Sequence, residues 1–163
     1  MSLHQIHLAC ILSLILPVGF KGQAENGAVT HEIPINITQN VLFITLTIND
    51  SSATFIIDTG ATVSLLDEKQ ASEYHFVCHK SQGKGKINGL AGVNTLQLAS
   101  GIRMSHGRFK FKGFKFYSCN LDSLHEFFEK RNIFILGIIG ADFLIKYNAI
   151  IDYENQRLIL HKG

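Results

Sequence analysis

Asp58 closes a short apolar run, residues 54–57, and opens the tetrapeptide Asp58-Thr59-Gly60-Ala61. A carboxylate placed where an apolar strand leaves the core sits on a short, rigid connection; Gly60 permits a tight turn after it, and Thr59 offers a hydroxyl to brace that turn. Alone, such a group is an ordinary acid. Beside a second carboxylate its character changes, because like charges at contact distance cannot both ionise easily and the pair holds one proton between them. An acid and a base are then available together, which is what activating a water molecule against an amide and protonating the departing nitrogen requires. Asp142 and Asp152 are the rivals for the second carboxylate. Asp142 opens an expected helix, where capping and the helix dipole favour an acidic residue, and Asp152 stands at a strand end beside a turn. Structural roles account for both, which leaves one candidate per chain.

The elements that must position Asp58 are mostly strands. Residues 31–38 and 41–48 are rich in β-branched side chains, and the second run alternates, so the two form a hairpin around Gln39-Asn40. Residues 49–52 make the next turn, and 54–57 the strand that delivers Asp58. Residues 66–74 have helical composition, with Asp67 and Glu68 at the positive end. Four glycines, Gly83, Gly85, Gly89 and Gly92, mark a hairpin of unusual backbone freedom. Residues 95–104 and 108–117 form another strand pair, joined at Ser105-His106-Gly107. Residues 121–130 are helical, 133–136 a strand, 137–140 a turn and 141–147 a second short helix. A closing hairpin follows, with strands at 149–153 and 157–161.

The run Phe55-Ile56-Ile57-Asp58-Thr59-Gly60-Ala61-Thr62 resembles the active-site loop of the retropepsin-like aspartic proteases. A second run, Ile138-Ile139-Gly140 followed by Ala141-Asp142-Phe143-Leu144 and then Ile150-Ile151-Asp152-Tyr153, is similar to that family's apolar-apolar-Gly turn, helix and terminal strand. The order is the family's, and the likeness spans the chain from residue 25 to 163. It implies an all-β fold, a small closed or nearly closed acid-protease barrel with one or two short helices. It also implies peptide or protein substrates, no cofactor and no metal. Because the family's site needs two aspartates and this chain carries one such triplet, the resemblance implies a homodimer. Asp58 would be the catalytic residue, Thr59, Gly60 and Ala61 its supporting loop, and Ile138, Ile139 and Gly140 the second-motif support. Ile87, Asn88, Gly89 and Leu90 would form the tip of a flap over the substrate. The competing class is a catalytically silent peptide-binding or structural module on the same fold.

Other chemistries are weaker in this sequence. A net charge of +2 argues against a nucleic-acid or polybasic membrane partner, and the alternation of Lys and Phe through residues 108–116 is the ordinary two-faced strand pattern. His75, Cys78 and His79 lack further ligands for a closed zinc site, since the adjacent Cys78 and His79 would point apart on a strand. Ser64 lies in no nucleophile elbow. Residues 1–24 read as a signal peptide, with an apolar stretch at 8–20 and small residues ending at Ala24, or as an uncleaved N-terminal anchor if not removed. The protein is therefore expected to be exported, periplasmic or secreted, and membrane-attached only if that segment stays. In such a compartment Cys78 and Cys119 would either form one disulfide or remain two separate thiols.

Overall fold

The computed structural model describes residues 30–80, 86–89, 92–130 and 132–161, with the backbone alone for residues 80, 86–89 and 92–95. The expected signal segment at 1–24 and the flap residue Leu90 lie outside the described residues. In chain order the strands are β1 (Thr30–Pro34), β2 (Asn36–Thr38), β3 (Val41–Ile48), β4 (Ser51–Ile57), β5 (Leu65–Asp67), β6 (Val77–Lys80), β7 (Lys86–Gly89) and β8 (Gly92–Thr95). They continue with β9 (Gln97–Ser100), β10 (Met104–His106), β11 (Phe109–Phe111), β12 (Phe116–Cys119), β13 (Gly137–Ile139), β14 (Ile150–Asp152) and β15 (Arg157–His161). The helices are α1 (Asp122–Glu129) and α2 (Ala141–Lys146).

The hairpin of β3 and β4 is the spine. Its alternation puts Ile44, Leu46 and Ile48 on one face with Ala53, Phe55 and Ile57 of β4, all buried in the main core. Phe43 and Ile56 pair on the opposite face, in a second apolar group with Phe128 of α1 and Ile135. Both hairpins that use β3 turn through two residues of positive φ. Gln39 and Asn40 (φ 52 and 63) join β2 to β3, and Asn49 and Asp50 (φ 46 and 71) join β3 to β4. Asn and Asp tolerate this left-handed backbone best among residues with a side chain, and such turns match the strand twist.

Asn49 does more than turn the chain. Its buried side-chain amide donates to the carbonyls of Tyr74 (2.8 Å), His75 (3.0 Å) and Gly101 (2.8 Å), and its Oδ1 accepts from the Arg103 amide at 2.8 Å. One side chain thus satisfies main-chain groups of two other segments that would otherwise be buried without partners.

Around the spine the strands form one sheet in the order β11-β10-β3-β4-β13-β5-β12-β9-β6, with β2 also on β3. A second sheet, β1-β15-β14, packs Ile33, Leu158 and Leu160 into the main core. β7 and β8 form a separate two-stranded hairpin. The fold is mostly β with two helices, as expected. Among the described residues, however, the edge strands β11 and β6 of the large sheet do not pair with each other, so the sheet is open and not a closed barrel. No helix among them is long and apolar enough to cross a membrane.

Two local expectations are corrected. The helix expected at 66–74 begins instead as strand β5 followed by a single 3-10 turn at Glu68–Gln70, because Leu65, Leu66 and Asp67 are buried between β12 and β13 and tertiary pairing overrides composition. The strand expected at 133–136 and the turn expected at 137–140 shift along the chain together: residues 133–136 form no strand, and Gly137–Ile139 form β13. The cysteines are also settled: β9 lies between β6 and β12, and Cys78 is level with Phe116, so Cys119 is at least two strand spacings away, more than ~9.5 Å and beyond the ~7 Å a bridge allows. Both thiols are free. Cys119 is buried, and desolvation, reinforced by Glu68 and Asp67, pushes its thiol up to about 11.

Replacing Asn49 by Ala strands three carbonyls and leaves a non-glycine residue at positive φ without its hydrogen bonds. The expected loss is about 2–4 kcal/mol of unfolding free energy in urea titration.

Candidate active site

β4 delivers Asp58 from an apolar stretch: Phe55 is fully buried, Ile56 and Ile57 nearly so. At the strand end the Asp58 amide donates to the Ile139 carbonyl at 3.0 Å, which fixes the backbone to β13. The chain then turns. The Gly60 amide donates to Asp58 Oδ1 at 2.9 Å, and the Ala61 amide donates to the Asp58 carbonyl at 3.1 Å. Main-chain donors close this turn, while Thr59 and Gly60 are exposed and the Asp58 side chain is half-buried. The result is a carboxylate with one oxygen held by an amide, in reach of solvent or of another molecule.

The opposite wall is the second motif. β13 runs parallel to β4, with Gly137 beside Phe55, Ile138 beside Ile56 and Ile139 beside Ile57, and antiparallel to β5 on its other edge. Glycine is demanded here by space. A Cβ at Gly137 would lie 1.9 Å from the Leu65 carbonyl oxygen, and one at Gly140 would lie 2.8 Å from the Ala61 oxygen and the Val63 carbonyl. Closeness lets the Ala141 amide donate to the Ala61 carbonyl at 2.7 Å. Ile139 is fully buried in the main core, and Ile138 packs with Leu65, Cys119 and Leu121. The structure therefore brings Asp58, Gly60, Ala61, Ile138, Ile139 and Gly140 into one assembly.

The pair that locks this assembly was not singled out by sequence. Ser64, fully buried, donates its hydroxyl to Asp142 Oδ1 at 2.7 Å and its amide to Oδ2 at 3.0 Å, while its Oγ accepts from the Gly140 amide at 2.9 Å. Asp142 is thus a cross-link between the 58–64 loop and α2, beyond the helix-start role expected of it; the N-cap itself is Gly140, without a side-chain bond. One signal was present: a serine in the apolar stretch 63–66 must find a partner if buried. A buried carboxylate, Asp67 on β5, faces His125 Nε2 on α1 at 3.2 Å and accepts from the Lys69 amide. That nitrogen makes no hydrogen bond of good geometry despite the short separation, so the two groups touch without a formed bond.

The rival carboxylate Asp152 is committed elsewhere. It accepts from the Asn155 amide at 2.9 Å, the Asn155 side chain at 2.8 Å and Arg157 Nε at 3.0 Å, bonds that hold its carboxyl down to about 2. It closes the turn between β14 and β15. Of the candidate flap, Ile87, Asn88 and Gly89 lie on β7, opposite Asn94, Val93 and Gly92 of β8. Among the described residues no three His, Cys, Asp or Glu side chains gather as a metal-binding group; His79 contacts the Ser100 hydroxyl at 2.6 Å. A groove of about 750 Å³ bounded by Pro34, Ile37, Phe43, Thr45, Thr54, His106 and Phe134 does not include Asp58, so cavity size alone does not mark the loop.

A family model described as aspartyl protease matches residues 44–143, which takes in the Asp58 loop and the Ile138–Gly140 run. No curated protein gives a significant match. Among solved structures, a retropepsin-like aspartic protease from Rickettsia conorii is similar in fold, with TM-score 0.54 and 19% identity over 83% of this chain and 94% of that one. The EIAV protease in complex with the inhibitor HBY-793 matches at TM-score 0.46 and 15% identity, over 79% of this chain and 96% of that one. The retroviral protease-like domain of Ddi1 from Leishmania major matches at TM-score 0.45 and 16% identity, over 76% and 94%.

If Ser64 and Asp142 lock the loop to α2, a double-mutant cycle with Ser64→Ala and Asp142→Ala will give a coupling free energy of about 1–3 kcal/mol by denaturant unfolding. Additive single losses would mean the two residues act independently.

Proposed function

This chain belongs to the aspartyl protease family, and we propose that it is an endopeptidase whose water nucleophile is activated by two Asp58 carboxylates, one from each copy of a homodimer. The observation that carries the reading is the state of Asp58 itself. It stands at a strand end, half-buried, one oxygen accepting from the Gly60 amide, in a loop fastened to the second motif on its far side. The rival carboxylates and the buried Asp67 are engaged: Asp142 with Ser64, Asp67 with the Lys69 amide, Asp152 with Asn155 and Arg157. A second copy is the source of a partner, and the exposed Thr59 and Gly60 leave the loop open to one.

In the paired state the two carboxylates share one proton. The ionised member takes a proton from water as its oxygen bonds to the substrate carbonyl carbon, and the protonated member gives its proton to the carbonyl oxygen. Collapse of that tetrahedral species breaks the C–N bond as the carboxyl that took the water proton passes it to the nitrogen and the other carboxylate takes a proton back from a hydroxyl of the diol, restoring the shared proton. Activity should follow a bell in pH bounded by the two macroscopic ionisations of the dyad. The hairpin of β7 and β8, with Ile87, Asn88, Gly89 and Leu90 about its tip, serves as the flap, covering a peptide bound as an added strand. Export directed by residues 1–24 is part of the same proposal.

Asp58→Asn removes the shared proton but keeps shape. Turnover of a peptide library should fall by at least ~10³-fold, with the fold by circular dichroism and the dimer mass by sedimentation unchanged. Parental activity in that variant would rule out this chemistry. A monomer inert from acidic to neutral pH would favour the silent peptide-binding module instead.

A further inference from the structure

His31 on β1 and His106 on β10 meet ring to ring, His31 Nε2 lying 2.9 Å from His106 Nδ1. The rings cross at 65° with centroids 5.0 Å apart. His31 also stacks on Phe109 of β11, 4.4 Å between centroids and 12° between planes, and stands edge-on to Phe111 at 6.4 Å. β1 has its strand partner in the three-stranded sheet, β10 in the large one. The imidazole contact is therefore a polar tie between two sheets that share no strand pairing.

Proton count decides what this tie can do. With both rings neutral, one nitrogen donates and the other accepts. One added proton keeps that arrangement, because an imidazolium still donates to a neutral partner. A second proton places two N–H groups and two positive charges face to face, and the contact must open. Burial lowers the proton affinity of both rings, and for His31 the neighbouring His106 lowers it further.

Among the described residues no carboxylate compensates. On β1 the adjacent Glu32 is held by Arg157 of β15 at 3.0 Å. Across β15, His31 faces Leu160, and His161 lies opposite Thr30. From β11 come the Phe109 and Phe111 rings, with Lys110 opposite Ser105 of β10 and Arg108 in the turn. Those nearby charges other than Glu32 are cationic or potentially so, which opposes a doubly protonated pair.

We infer that the His31–His106 contact is an acid-sensitive latch: the second proton forces the rings apart and loosens the His31 end of β1 from β10 and, with it, its pairing to β15. The sign follows from linkage. Both rings bind protons less readily folded than unfolded, so the tie contributes fully above the unfolded histidine value of about 6.5 and is lost as pH falls through the lower folded values. The latch stands whether or not the chain is catalytic.

The test is amide hydrogen exchange of residues 30–33 in the whole protein, corrected for intrinsic rate, from about pH 7.5 downward. β1 protection should drop by about tenfold or more as both imidazoles protonate, while that of β3 and β4 holds. His31→Phe, which keeps the stack on Phe109, and His106→Gln should each flatten the pH dependence. An undiminished drop in both variants overturns the latch. Should either variant fail to fold, the wild-type protein decides by NMR titration of its histidines alongside exchange: two protonated rings with β1 protection unchanged also overturn it.

Discussion

The closeness of β13 to the strands on either side is the constraint on which the rest depends. Two side chains are missing from that strip, at Gly137 and Gly140, and each gap is filled by the backbone of another segment, Leu65 in one case and residues 61–63 in the other. A methyl group at either place would meet carbonyl atoms, which cannot yield as a flexible side chain can. Because the backbones touch, the amides of Asp58, Gly140 and Ala141 all find partners across the gap, and the 58–64 loop has little freedom to wander. Preorganisation here is made of short main-chain bonds, with Ser64 and Asp142 as the one side-chain rivet.

Rigidity in the loop contrasts with the openness above it. Asp58 has an anchored backbone and one anchored oxygen, yet its neighbours Thr59 and Gly60 face outward. If the group meets a second carboxylate, as proposed, this combination is the useful one: position is set by one chain, and electrostatic character is set by whatever approaches. Two ionised carboxylates brought together repel, so a dimer formed this way would take up a proton as it assembles. Assembly and ionisation are then a single linked equilibrium.

What the sequence disclosed follows the range of the interactions involved. The hairpin of β2 and β3, the Asp58 turn, helices α1 and α2 and the closing hairpin of β14 and β15 were legible because each is written in neighbouring residues: alternation, turn-forming Asn, apolar spacing. β5 and β13 were not. Leu65 and Leu66 have no strand-specific signature, and Gly137 reads as a turn residue until the Leu65 carbonyl is seen occupying the place of its side chain. Asp142 looked sufficient as a helix-start acid, and only the fold reveals Ser64 as its partner. The His31–His106 contact joins residues far apart in the chain and left no local trace.

The parallel pairing of β4 with β13 has a further consequence for how the molecule comes to exist. Phe55 and Gly137 must meet across ~80 residues of intervening chain, the kind of contact that forms late because loop closure precedes any stabilisation from it. On the ribosome, the hairpin carrying Asp58 can be complete while its cradle is still unsynthesised. The carboxylate acquires its fixed setting only when residues 137–142 arrive, ~80 residues later in synthesis. A chain interrupted before that point would carry the Asp-Thr-Gly turn without the assembly that orients it.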